Sequence, residues 1–247
     1  MSGRASGAMR IFLYNWPTYV ATWGFAGALA ILAWRACGVS AWVFAAAAAV
    51  AALWSVVSLA VSSYVYDHSV LSGASWVRAL VPERIETWAS IDAGLDAEVT
   101  LDDVMPGACI ARLDVYDGET VYAPSVRRAR ATTPRAHVAT PSRATALALA
   151  DSSCDLIAVV FTAHEIRDAS NREAFFIEVC RSLRAGGRML LVEHLRDGAN
   201  FCAFGPGFVH FQPRAEWLRL AGVAGLRVAL ETRVTPWVMA LALEKSP

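Results

Sequence analysis

The chain has 247 residues, 56% apolar and 18% charged, and its 22 basic and 22 acidic side chains cancel. That length holds one α/β domain with apolar sequence to spare. A zero balance with scattered arginines gives no reason to expect nucleic acid as a partner, because phosphate binding needs a clustered basic face.

The apolar surplus lies at the front, after a short tail over residues 1–10. Residues 11–34 carry no charged side chain, and beyond a connector containing Arg35 a second uncharged run covers 41–63. Each is long enough to cross a bilayer as a helix. A cleaved signal would have one shorter apolar region and a small-residue cleavage site, so residues 11–63 read as a transmembrane helical hairpin. Arg4 and Arg10 favour a cytoplasmic N-terminus, and two crossings return the C-terminal domain to the cytoplasm. Trp16, Tyr19, Trp23, Trp34 and Trp42 suit the headgroup level. The alanine run at 45–49, with Ala51 and Ala52, lets another helix approach closely, either the first span or a foreign subunit.

Residues 64–87 carry Tyr64, Tyr66, Trp76, Val77, Leu80 and Val81 at spacings that predict an amphipathic helix near the interface, connecting membrane to domain. From residue 88 to 247 short apolar segments at 88–91, 109–113, 156–161, 188–192, 226–230 and 238–243 are mostly separated by helical stretches. The stretch 129–145 reads as a loop with a short edge strand. This alternation predicts a mostly parallel sheet with helices on both faces. Five cysteines without a CxxC pair or metal-ligand spacing read as reduced packing residues.

The turn Asp151-Ser152-Ser153 precedes a strand opening at Asp155-Leu156-Ile157, and Thr162 to Asp168 follow it as a loop. A helix over 172–183 ends at Arg184-Ala185-Gly186-Gly187, and a strand over 188–193 comes next. A helix at 214–221, a turn at Gly225 and two final strands pairing as an antiparallel edge hairpin complete the set. In this order the chain resembles the class I S-adenosylmethionine-dependent methyltransferase family, whose fold is a Rossmann-like sheet with helices on both faces. The resemblance implies a glycine-rich cofactor loop at Asp92-Ala93-Gly94-Leu95-Asp96-Ala97-Glu98, where Gly94 is kept and Asp96 and Glu98 stand at the later glycine positions. Both add bulk and negative charge beside the carboxylate of the methionine portion. The loop is therefore degenerate, with S-adenosylmethionine binding expected to be weakened or lost. The cofactor contacts that the resemblance implies are Asp92, Gly94 and, for the ribose, Asp114, with Asp117 as a nearby substitute. The acid that would contact adenine is missing from Ser142-Arg143-Ala144-Thr145.

His164 and Glu165 follow the fourth long apolar strand of that pattern, and Glu193 and His194 follow the fifth, so both pairs approach the carboxyl edge where open α/β sheets bind ligands. His164, Glu165 and His194 are the catalytic candidates, with His164 as base. The alternative is that these groups satisfy loop backbone or pair with Arg167 and Arg196. Their spacing forms no recognised metal set. The segment from Phe201 to Phe211 is unusually apolar for a connection and reads as a lid, a membrane insertion or a docking patch. Two functions follow. One is a non-catalytic accessory subunit of a membrane complex, respiratory or photosynthetic, surrounded by membrane lipids and meeting partner subunits through the hairpin and the Phe201 to Phe211 segment. The other is an active S-adenosylmethionine-dependent methyltransferase acting on a quinone precursor, a lipid or a pigment intermediate.

Overall fold

The structure, a computed structural model, describes residues 7–73, 75–81, 84–93, 101, 104–119, 123–132 and 139–246. Seven strands form one sheet: β1 (Thr87–Asp92), β2 (Ala108–Asp114), β3 (Thr140–Pro141), β4 (Cys154–Val160), β5 (Leu183–His194), β6 (Leu226–Thr235) and β7 (Val238–Lys245). Their order is β3-β2-β1-β4-β5-β7-β6. The first five are parallel, and β7 lies antiparallel between β5 and β6. The expected strands and the closing hairpin are all present, and β3 is the short edge strand.

Side-chain alternation explains the layers. On β4, Ile157 and Val159 point to one face and Leu156, Ala158 and Val160 to the other, and β5 repeats this with Met189 and Leu191 against Leu190 and Val192. All of these are buried. A central parallel strand that is apolar on both sides must be covered on both sides. One cover consists of α3 (Pro124–Thr132), α4 (Ala169–Ser182) and α6 (Arg214–Val223), which bring Val126, Phe175, Phe176, Val179, Trp217 and Leu220 to the sheet. The other comes from the N-terminal part of the chain, through Val61, Val65, Leu71, Val77 and Leu80.

The two apolar runs are helices, α1 (Gly7–Arg35) and α2 (Val39–Ser63), folded back on each other with Tyr19 Oη and Ser58 Oγ 3.1 Å apart. Only the second is long and apolar enough to cross a membrane among the described residues, and it continues through a π turn to span Val39–His68. The first is bent at Asn15 (φ −119, ψ 16), two residues before Pro17, whose ring supplies no amide hydrogen. Its opening turns rest on the rest of the molecule: the Gly7 amide donates to Asp67 Oδ1 at 2.6 Å and Arg128 Nε donates to the Tyr14 carbonyl at 2.5 Å.

The connector corrects an expectation. Among the described residues of 64–87 no amphipathic α-helix is present; they form the π turn and two short 3-10 helices, Val70–Gly73 and Ser75–Ala79. The face of the sheet left open by α3, α4 and α6 takes up Val65, Leu71, Val77 and Leu80, so these apolar residues are buried in protein rather than in an interface.

Gly107 marks the tightest turn into this sheet. Its φ is +91, and a Cβ there would stand 2.3 Å from the Ile85 carbonyl oxygen. Gly107→Ala should therefore destabilise the fold by about 2 kcal/mol or more, read as a lower urea midpoint at unchanged slope.

Candidate functional site

β1 and β2 end side by side, with Asp92 and Asp114 as register partners. Asp114 is buried, and Arg130 in the last turn of α3 grips it with both arms, Nη1 to Oδ1 at 2.9 Å and Nη2 to Oδ2 at 3.0 Å. The same guanidinium donates to the Ala93 carbonyl at 3.2 Å and lies 4.3 Å from the centre of the Tyr116 ring. A paired fork of this kind is among the stronger polar contacts a protein makes. It occupies the carboxylate edge that the two hydroxyls of a ribose would need. As arranged, Asp114 does not fit a nucleoside ligand. Gly94, with Asp96 and Glu98, lies outside the described residues. Asp117 is exposed and accepts the Glu119 amide at 2.9 Å, closing its own turn.

Two strands away, the carboxyl ends of β4 and β5 bring together all three residues singled out as catalytic candidates. His164, in the short 3-10 turn Ala163–Glu165, is buried with both ring nitrogens beside carboxylates: Nδ1 is 2.6 Å from Glu193 Oε2 and Nε2 is 3.3 Å from Glu165 Oε1. Arg167 Nη2 donates to the other oxygen of Glu165 at 3.1 Å. Burial by itself would lower the pKa of His164, but the charges of Glu193 and Glu165 raise it to about 10. Burial would raise Glu165, and His164 with Arg167 holds it instead at about 2. His164 is thus an imidazolium clamped between two carboxylates, with no lone pair to act as a base near neutrality.

His194 has the opposite character. Its Nδ1 faces two acceptors, Asn200 Oδ1 at 3.1 Å and the Trp237 carbonyl at 3.0 Å, so that nitrogen carries the proton. Nε2 then accepts from the Tyr66 hydroxyl at 3.1 Å. The ring is stacked between Phe161 and Phe211 at 5.1 and 4.9 Å, with Phe204 edge-on at 5.4 Å. Burial, reinforced by the charge on His164, pushes its pKa down to about 3. His210, 5.7 Å from His164, is held down to about 4 for the same reasons. Phe161 has φ +49, an uncommon conformation for a bulky side chain, at the point where β4 meets this cluster.

Arg167 reaches Glu165, one of the pairings the sequence suggested. Arg196 does not reach the acids; it donates to the carbonyls of Phe211 at 2.8 Å and Val209 at 2.6 Å. Arg130, Tyr66 and Asn200 were not foreseen. Arg130 had a signal, the basic helix that follows Asp114, whereas nothing local to Tyr66 points to a histidine 128 residues away. Among the described residues no group of His, Cys, Asp and Glu is disposed to hold a metal ion.

A family model described as a methyltransferase domain matches residues 114–191. No curated protein matches the chain. Among solved structures, a SAM dependent methyltransferase from Aquifex aeolicus is 16% identical, covers 73% of this chain and 94% of its own, and superposes with a TM-score of 0.53. A SAM-dependent methyltransferase from Thermotoga maritima is 16% identical over 74% of this chain and 92% of its own, with a TM-score of 0.51. The geranyl diphosphate C-methyltransferase from Streptomyces coelicolor A3(2), solved with S-adenosyl-L-homocysteine, is 12% identical over 70% of this chain and 78% of its own, also at 0.51.

The two histidines predict a peaked pH profile. His164, raised to about 10, stabilises the fold below about 6.5 and loses that contribution as pH rises towards 10. His194, lowered to about 3, stabilises it above about 6.5 and loses that contribution as pH falls towards 3. The urea midpoint of the full chain in detergent should be highest near pH 6.5, and His164→Gln should flatten the alkaline limb and also weaken the acid limb, because the charge on His164 helps to hold both His194 and Glu165 down.

Proposed function

This chain has the class I methyltransferase fold, and from that premise we propose that it is a membrane-anchored, non-catalytic accessory subunit of a membrane complex. The observation that carries the reading is the Asp114–Arg130 fork. The carboxylate that would hold a ribose is already spent on a side chain of the same molecule, and the guanidinium spans from β2 to the Ala93 carbonyl after β1. Asp96 and Glu98 in the loop that follows add negative charge where a carboxylate-bearing ligand would need amides. His164 supports the same reading, since a histidine held charged between two acids serves the fold rather than a proton transfer.

The membrane part of the proposal rests on Val39–His68, long and apolar enough to span. With α1 folded against it, a hairpin would keep the N-terminus and the domain on the same side, the cytoplasm by the positions of Arg4 and Arg10. The all-helical hairpin surface, with its alanine run, suits close packing against another subunit.

A second reading keeps the enzyme. The apolar rings of Phe204 and Phe211 beside the His164 and His194 cluster would suit a lipophilic methyl acceptor, with S-adenosylmethionine supplying the methyl group. In that reading Arg130 leaves Asp114 when the cofactor arrives.

Calorimetric titration of the detergent-solubilised full chain with S-adenosylmethionine and S-adenosylhomocysteine separates the two. The accessory role predicts no saturable binding at millimolar ligand, and no methyl transfer to a panel of quinone precursors. Micromolar binding by the unaltered chain would sink it and make the acceptor the next question. Arg130→Ala tests the closure directly: if the fork is what shuts the seat, the variant should bind at least tenfold more tightly than the parent.

A further inference from the structure

The segment that follows β5 consists of a short helix, α5 (Gly198–Phe204), and a 3-10 turn, Gly205–His210. It carries no Asp, Glu, Lys or Arg from Gly198 to Gln212. Phe201, Cys202, Pro206, Gly207 and Val209 are exposed on it, with Val209 at 58%. Its inner side belongs to the cluster already described, through Phe204 and Phe211. Its outer side touches α2, and this contact fixes its depth.

Trp54 on α2 makes that contact. Its indole Nε1 donates to the Cys202 carbonyl at 3.1 Å, and its ring meets Phe201 edge-on at 5.4 Å. Gly205 completes the fit: its φ is +54 and a would-be Cβ would stand 3.0 Å from the indole, so a larger residue would be strained and would press on the Trp54 ring. The segment is therefore locked to the level of Trp54 along the helix.

That level lies inside a bilayer if α2 crosses one. The span begins at Val39, and the fifteen residues from Val39 to Leu53 rise about 22 Å at 1.5 Å each. A hydrocarbon core is about 30 Å thick. The remaining thickness must come from the turns of α2 around and beyond Trp54, where the 198–210 segment is fastened. On this basis, which rests on the membrane reading above, we propose that the outer face of the Phe201–Val209 segment is immersed in lipid, as a monotopic lip of the domain beside the span.

The local chemistry agrees with that occupant. Non-helical backbone in hydrocarbon is tolerated only where its polar groups find partners within the protein. Here Trp54 satisfies the Cys202 carbonyl, and Arg196, exposed at the end of β5, satisfies those of Val209 and Phe211. Arg196, with the Asp197–Arg233 pair at 2.7 Å, places charge at the margin of the apolar face, where headgroups would lie. The lip would then bring bilayer lipid against the wall formed by Phe204 and Phe211, whose inner side packs on His194.

Spin labels on the full chain, purified and reconstituted in phosphatidylcholine and phosphatidylglycerol vesicles, test this. The five native cysteines are replaced, Cys37 and Cys202 by Ser and Cys109, Cys154 and Cys180 by Ala, and single labels are placed at Val50→Cys on the span, Val209→Cys on the lip and Val223→Cys on the opposite layer of the domain. Collision with oxygen is compared with collision with a water-soluble nickel chelate. The expected result is that Val50 and Val209 both favour oxygen at least threefold relative to Val223. If Val50 favours oxygen while Val209 behaves like Val223, or is shielded from both reagents by a protein cover, the lip is overturned and the anchor stands. If Val50 also reports water, both ideas fall.

Discussion

The seam between the end of α2 and the second face of the sheet is the constraint from which the rest of the arrangement follows. Val61 and Val65 are as much a part of the core as Leu156 and Val192, and one residue further on Tyr66 donates to His194. A helix that is apolar enough to enter lipid is, at its other end, the cover for a parallel sheet that would otherwise expose Trp88, Val160 and Leu190. Burial of this kind is non-directional, but the hydrogen bond to His194 is not, and together they fix both the depth and the rotation of α2 on the domain.

That coupling reaches the cluster at the strand ends. His164 and His194 follow neighbouring strands, are both buried, and are driven in opposite directions. His164 meets two carboxylates and holds its proton; His194 meets carbonyls and a tyrosine hydroxyl and stays neutral. Desolvation acts on both, and the sign of the outcome is decided by which neighbours carry charge. At the other side of the sheet the Asp114–Arg130 fork applies the same economy, with a buried acid matched by a cation from its own chain. The polar groups of these two clusters are thus engaged with one another.

Much of the fold was legible in the residues. The segments at 88–91, 156–161 and 238–243 became β1, β4 and β7 because a strand buried on both faces is apolar at most of its positions, and such runs are visible locally. The juxtaposition of His164, Glu165 and His194 was legible too, because residues that immediately follow adjacent parallel strands share one edge. The connector over 64–87 was misjudged for an equally physical reason: an amphipathic pattern records that one side wants an apolar neighbour without recording whether that neighbour is lipid or a sheet.

By itself, then, the sequence marked the strands and the helices α4 and α6, since apolar periodicity acts over a few residues, whereas α3 runs into a stretch read as loop and α5 lies in one read as a connection. Only the tertiary structure decided that Arg130 closes on Asp114, that His164 is charged while His194 is not, and that Trp54 fastens Cys202 to α2. Each of those depends on at least one contact between residues from 16 to 148 positions apart, where distance and desolvation set the energy.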